Sequence, residues 1–172
     1  MNEEPSTARV ALKWGLILGV AQILFSTFLF LTDGIGNASL GYVSYALSIA
    51  GIVLVMRDFR TLNGGYMSYG QGLSLGTLTA AVSGFLSSLF SVFYMTVIDT
   101  GVMGRVIEKT REQLEDRGVP DDQIDQQMQV VQMFQSPGLL FVFGIIGAAI
   151  GGLIFSLIIA AFMRRNRATP FE

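Results

Sequence analysis

Uncharged apolar residues gather into four long runs, at about residues 10–31, 40–56, 73–98 and 139–163, separated by polar stretches. Lys13, near the start of the first run, is the only charged residue inside any of them. An α-helix rises about 1.5 Å per residue and a bilayer's hydrocarbon layer is about 30 Å thick, so about 20 apolar residues are enough to cross it. Lipid tolerates no unpaired backbone groups, and the runs lack the alternation of a barrel strand, so each predicts a spanning helix. The second run is the shortest and draws on its flanks, with Arg57 snorkelling toward headgroups. The first run follows Arg9 and Lys13 as a secretory signal would. It exceeds the roughly 7–15 apolar residues of a signal core and has no well-placed small-x-small cleavage site, so an uncleaved anchor is expected.

The connection between the third and fourth runs, residues 99–138, has a different period. Met103, Val106, Ile107, Thr110 and Leu114 recur at helical spacing, Arg111 is placed to pair with Glu115, and Gly118 supplies a left-handed stop. A second helix is expected to start at Pro120, with Asp121 and Asp122 at its positive end and Ile124, Met128, Val131 and Gln135 along one face. Ser136-Pro137-Gly138 then breaks it before the last run. The predicted fold is an all-α integral membrane protein: one domain over residues 1–172, four transmembrane helices, and a helical hairpin at about 102–135 between helices three and four.

Cations set the expected orientation. Arg9 and Lys13 precede the first span, Arg57 and Arg60 join the second to the third, and Arg164, Arg165 and Arg167 follow the fourth, whereas residues 32–39 carry none. The positive-inside rule then places both termini in the cytoplasm and residues 99–138 outside, where eight acids outnumber Arg105, Lys109, Arg111 and Arg117.

Composition narrows the chemistry. Of the 172 residues 51% are hydrophobic and only 14% charged, and the net charge is −2, which gives no attraction to nucleic acid. Mean hydropathy is +0.55. With no histidine and no cysteine, the chain cannot build a Ser-His-Asp or Cys-His centre, a thiolate redox site or an ordinary zinc site. No cofactor, metal or catalytic residue is assigned, and a non-enzyme is expected.

Five glycines fall within TLNGGYMSYGQGLSLG, residues 61–76. A dinucleotide fold would need a strand before them and an acid about 20 residues later, and a phosphate loop would need Gly-Lys-Ser/Thr. No acid lies between Asp58 and Asp99 and no lysine between Lys13 and Lys109, so the phosphate reading fails on context. Small residues instead recur every four positions: Gly72, Gly76, Ala80, Gly84 and Ser88 in span three, Gly144, Ala148, Gly152, Ser156 and Ala160 in span four, and Ala11, Gly15 and Gly19 in span one. Such rows let helix backbones approach closely in lipid, so packing of spans three and four is expected, with homo-oligomerisation through a leftover groove as the alternative. Asn63-Gly64-Gly65 provides the turn before re-entry, flanked by the interfacial rings of Tyr66 and Tyr69.

Candidate polar sites are few. Gln22 is the most polar central side chain, suited to one interhelical hydrogen bond or to a transport path together with Ser83, Ser87, Ser88 and Ser91. Asp99 and Asp33, at the outer ends of spans three and one, would bind a cation only if they converged, which nothing in their spacing requires. The acids at 121–125 lack the ligand alternation of a calcium loop, and Asn37-Ala38-Ser39 is an incidental glycosylation match.

The segments RDFRTLNGGYMSYGQGLSLG, FYMTVID, EQLEDRGVPDDQIDQQM and SPG, the last before a glycine-rich final span, resemble the bacterial membrane-protein family catalogued as domain of unknown function 4199. The resemblance covers residues 57–165 well and the first two spans loosely. It implies a four-helix protein of the bacterial inner membrane and transfers no activity or site residue. The expected role is a noncatalytic membrane component whose hairpin docks a partner, the alternative a small transporter or channel subunit. Its expected partners are the lipid bilayer and either further copies of itself or another membrane protein.

Overall fold

The computed structural model describes residues 5–35, 37–133 and 136–166. Its elements are α1 (Thr7–Leu31), α2 (Ala38–Leu62), α3 (Tyr69–Phe93) continued by a π-helical turn (Tyr94–Ile98), α4 (Val102–Asp116), α5 (Asp121–Met133) and α6 (Pro137–Met163). Four helices are long and apolar enough to span a bilayer: α1, α2, α3 with its π turn, and α6. The protein is an all-α integral membrane protein with four such helices and two shorter ones between the third and the fourth.

Local chemistry sets the helix starts. Ser6 accepts from the Arg9 amide, Asn37 from the Ser39 and Leu40 amides, and Ser136 from the Leu139 amide, with Pro137 as the first residue of α6. Ser68 and Gln71 form a reciprocal capping box at α3. Asn37 thus spends its side-chain oxygen on capping α2. Gly64, Gly65 and Gly118 lie at positive φ of 66°, 91° and 72°, where a side chain would be strained.

Several boundaries differ from the hydropathy reading. α2 runs to Leu62, six residues beyond Met56, because Asp58 is neutralised across the bundle: it accepts from Lys13 Nζ at 2.9 Å and Trp14 Nε1 at 2.7 Å. α3 begins at Tyr69, where its cap lies, and Pro120 stands one position before α5. In the second short helix Ile124 and Met128 are buried. Gln135, expected on that face and at the end of the hairpin, and Arg167, counted among the cations, lie outside the described residues.

α3 is the central helix, packing most extensively on α6 and α1, while α2 lies against α1, α3 and, more sparingly, α6. Two apolar clusters close the ends. At one, Ile52, Val55, Met56, Phe59, Met67, Leu75 and Ala160 are fully buried, joined by Val10 and Ala11. At the other, Phe30 stacks on Tyr94 with ring centres 4.2 Å apart, and Val102 of α4 closes the group. A two-way backbone pairing ties the chain after α6 to the turn before α3, Met67 N to Arg165 O at 2.9 Å and Arg165 N to Met67 O at 2.8 Å.

Candidate functional site

Helix approach determines what space is left inside the bundle. Along the α3–α6 seam the small residues meet rung by rung: Gly72 faces Ala160, Gly76 faces Ser156, Ala80 faces Gly152, Gly84 faces Ala148 and Ser88 faces Gly144. A Cβ added at Gly72 would come within 2.8 Å of the Ala160 Cβ, and one at Gly76 within 2.9 Å of the Ser156 Cβ. Such proximity gains dispersion contacts that lipid alone would not drive. The α1–α3 seam works differently. Val82 fills the notch at Gly15 and Leu86 that at Gly19, each within 2.7 Å of where a Cβ would sit, and Leu18 of α1 fills the notch at Gly51 of α2. All seven small residues named for packing, Gly72, Gly76, Ala80, Gly84, Gly144, Ala148 and Gly152, lie in the α3–α6 seam.

Between the two apolar end clusters the interior turns polar. A cavity of about 350 Å³ is lined by all four spanning helices, with Gln22, Ser26, Ser44, Ser87, Ser88 and Ser91 among its walls. A second, of about 360 Å³, shares Gln22 and adds Ser48 and Ser83. Gln22 Nε2 donates to Ser48 Oγ at 3.1 Å, joining α1 to α2, and Ser48 in turn donates to the Ser44 carbonyl at 3.0 Å. Ser87 donates to the Ser83 carbonyl at 2.9 Å, and Ser83 to the Ala80 carbonyl at 3.0 Å. Among the described residues the hydroxyls of Ser26, Ser44, Ser88 and Ser91 make no hydrogen bond. The cleft therefore offers uncharged donors and acceptors, and none of its lining residues is an acid or a base. It suits neutral hydrogen-bonding solutes or water, and is poorly suited to a bare ion.

At the α4 end of the bundle, Asp33 and Asp99 do converge. The cation between them belongs to the chain itself: Arg105 Nε donates to Asp33 Oδ1 at 3.0 Å and Arg105 Nη2 to Asp99 Oδ2 at 2.6 Å. Asp99 Oδ1 also accepts from the Gly101 amide at 3.0 Å, and Lys109 donates to the Asp33 carbonyl. The hydrogen bond from Arg105, reinforced by that from Gly101 and by the nearby positive charge, holds the Asp99 carboxyl below its ordinary pKa and outweighs desolvation. The same partnership raises the pKa of Arg105. Asp33 sits at φ 49°, a left-handed conformation that aspartate tolerates better than most residues. α4 is thereby clasped to the ends of α1 and α3. Arg111 of α4 then reaches Asp125 of α5 at 3.3 Å as well as Glu115 at 3.1 Å. Among the described residues no group of three or more acids is placed to hold a metal ion.

Arg105 is the residue that sequence reasoning passed over. Its only signal was position: six residues after Asp99, on the first turn of a helix, it can fold back on that carboxylate. Its second partner is 72 residues away.

Four helices long and apolar enough to cross a membrane, a hydroxyl-lined interior and a clasped α4 define a membrane protein whose two interior cavities are lined, among the described residues, by no charged side chain. The chain belongs to the family described as Protein of unknown function (DUF4199), whose family model matches residues 13–165. No curated protein matches the chain, and no solved structure does.

Proposed function

We propose that the chain is a noncatalytic accessory component of the bacterial inner membrane, with both termini cytoplasmic and residues 99–138 periplasmic, whose α4–α5 pair docks a partner membrane protein or a further copy of the chain. The observation that carries this reading is the double engagement of Arg105. The two ion pairs fix α4 over the ends of α1 and α3, so that the pair of short helices presents a set surface to a partner. Beyond the clasp the pair leaves apolar side chains uncovered, Val130 at 53% and Met133 at 72% exposure, and such exposed anchors suit helix-in-groove recognition. The two acids within the clasp, Asp33 and Asp99, both engage Arg105, which supports a role for them without acid–base chemistry.

Purification of the full chain in mild detergent, with identification of what accompanies it, tests the reading. Deletion of residues 103–134 is expected to abolish association and leave the four-span bundle helical. Retention of the same companion by the deleted chain would count against docking by this segment. A second reading, a small transporter or channel subunit, draws on the unspent hydroxyls of the cleft. It expects solute flux in vesicles that disappears in Gln22→Leu while the fold persists.

A further inference from the structure

We infer that the turn after α2 holds a binding site for the phosphate of an anionic phospholipid headgroup, formed by Arg57 and Arg60. The two arginines line a pocket of about 290 Å³ together with Thr61 and Gly65. Three residues apart on one helix, they project to the same side. The acid between them in sequence, Asp58, is occupied by Lys13 and Trp14 on the opposite flank, so no carboxylate among the described residues pairs with Arg57 or Arg60. Arg60 spends its Nε on the Gly65 carbonyl at 3.4 Å, leaving its terminal N–H groups available. The carboxyl end of α2 favours cations nearby but does not satisfy their outward donors.

The surroundings fit a lipid. Nothing lies within 4 Å of where a Cβ would stand on Gly64 or Gly65, so the pocket is open from the turn side. Below it, Ala50, Leu54, Arg57 and Thr61 form one exposed face of α2, apolar first and cationic at the end, the order in which a phospholipid presents acyl chain and then phosphate. Arginine's planar fork pairs with two phosphate oxygens at once, and Arg57 lies just past the apolar run, at headgroup depth.

The test uses the full chain in detergent, titrated with phosphatidylglycerol or phosphatidylcholine, bound lipids being counted by native mass spectrometry. The wild type is expected to retain phosphatidylglycerol preferentially, and the Arg57→Gln/Arg60→Gln variant to bind it roughly tenfold more weakly. Arg57→Gln alone, which removes no hydrogen bond to the backbone turn, should lose part of that affinity with an unchanged thermal midpoint. Arg111→Gln, in the hairpin, should lose none. An unaltered preference in the double variant overturns the site. Displacement of the lipid by millimolar inorganic phosphate would also overturn it, by assigning the pocket to soluble phosphate.

Discussion

Gly76 of α3 lies so close beneath Ser156 of α6 that a Cβ on the glycine would stand 2.9 Å from the serine Cβ, and the serine hydroxyl, fully buried, has no hydrogen-bond partner among the described residues. The seam accepts an unsatisfied hydroxyl in exchange for proximity. In lipid, where helices gain nothing from escaping water, close backbone approach is the larger effect.

The seam can be tested by moving one methyl across it. Gly152→Ala meets Ala80 and should destabilise the bundle by about 1–3 kcal/mol through overpacking. Adding Ala80→Gly vacates the space and should restore most of the loss. Denaturation in mixed micelles of the two single variants and the double variant measures the coupling, and strictly additive effects would mean that the helices do not meet there.

The Gln22 to Ser48 bond makes a smaller prediction. Hydrogen bonds between membrane helices average about 0.6 kcal/mol, so Gln22→Leu should lower stability by no more than about 1–2 kcal/mol. A loss well above that, measured the same way, would show that Gln22 organises the wider serine network.

The clasp predicts a pH dependence. Because pairing lowers the folded pKa of Asp99, its stabilisation is complete above the unfolded carboxylate value of about 3.9 and fades as pH falls through the lower folded value. Protection of the α4 amides, taken relative to their intrinsic exchange rate at each pH, should therefore stay constant from pH 8 to 5 and fall only in stronger acid. Asp99→Asn should exchange faster at neutral pH, by up to about fivefold, and lose that acid step. Identical protection in the two proteins at pH 7 would remove Asp99 from the clasp.

Sidedness is checked with single cysteines, since the chain has none of its own. The exposed Thr61 at the end of α2 serves for the proposed cytoplasmic face, and the exposed Glu112 of α4 for the proposed periplasmic one. Thr61→Cys and Glu112→Cys should react with an impermeant maleimide from opposite faces of sealed cells. Labelling of both from one face would reverse the proposed arrangement.

What the sequence disclosed followed from how local each cause is. Spans show as runs, the Gly64-Gly65 turn and the Gly118 stop show as residues that tolerate positive φ, and the small-residue rows show as a four-residue period. What it hid depends on distant partners. The last turns of α2 carry Arg57, Asp58 and Arg60, which end a hydropathy run, and only Lys13 and Trp14, more than forty residues earlier, make Asp58 acceptable there. Asp33 and Asp99 meet only because Arg105 stands between them. The serines were legible as polar, but not which would turn back on their own backbone, like Ser87, and which, like Ser88 and Ser91, would be left facing the cleft.

A ladder whose rungs repeat every four residues is nearly self-similar: sliding α6 by one rung, about 6 Å, would again bring tiny residues opposite tiny residues. Seam chemistry alone therefore discriminates poorly between neighbouring registers. The reciprocal amide pairing of Met67 with Arg165 acts as the ratchet pawl, since a one-notch slip would break both bonds. Loss of that short tether would leave a correctly inserted protein able to settle one notch out of place.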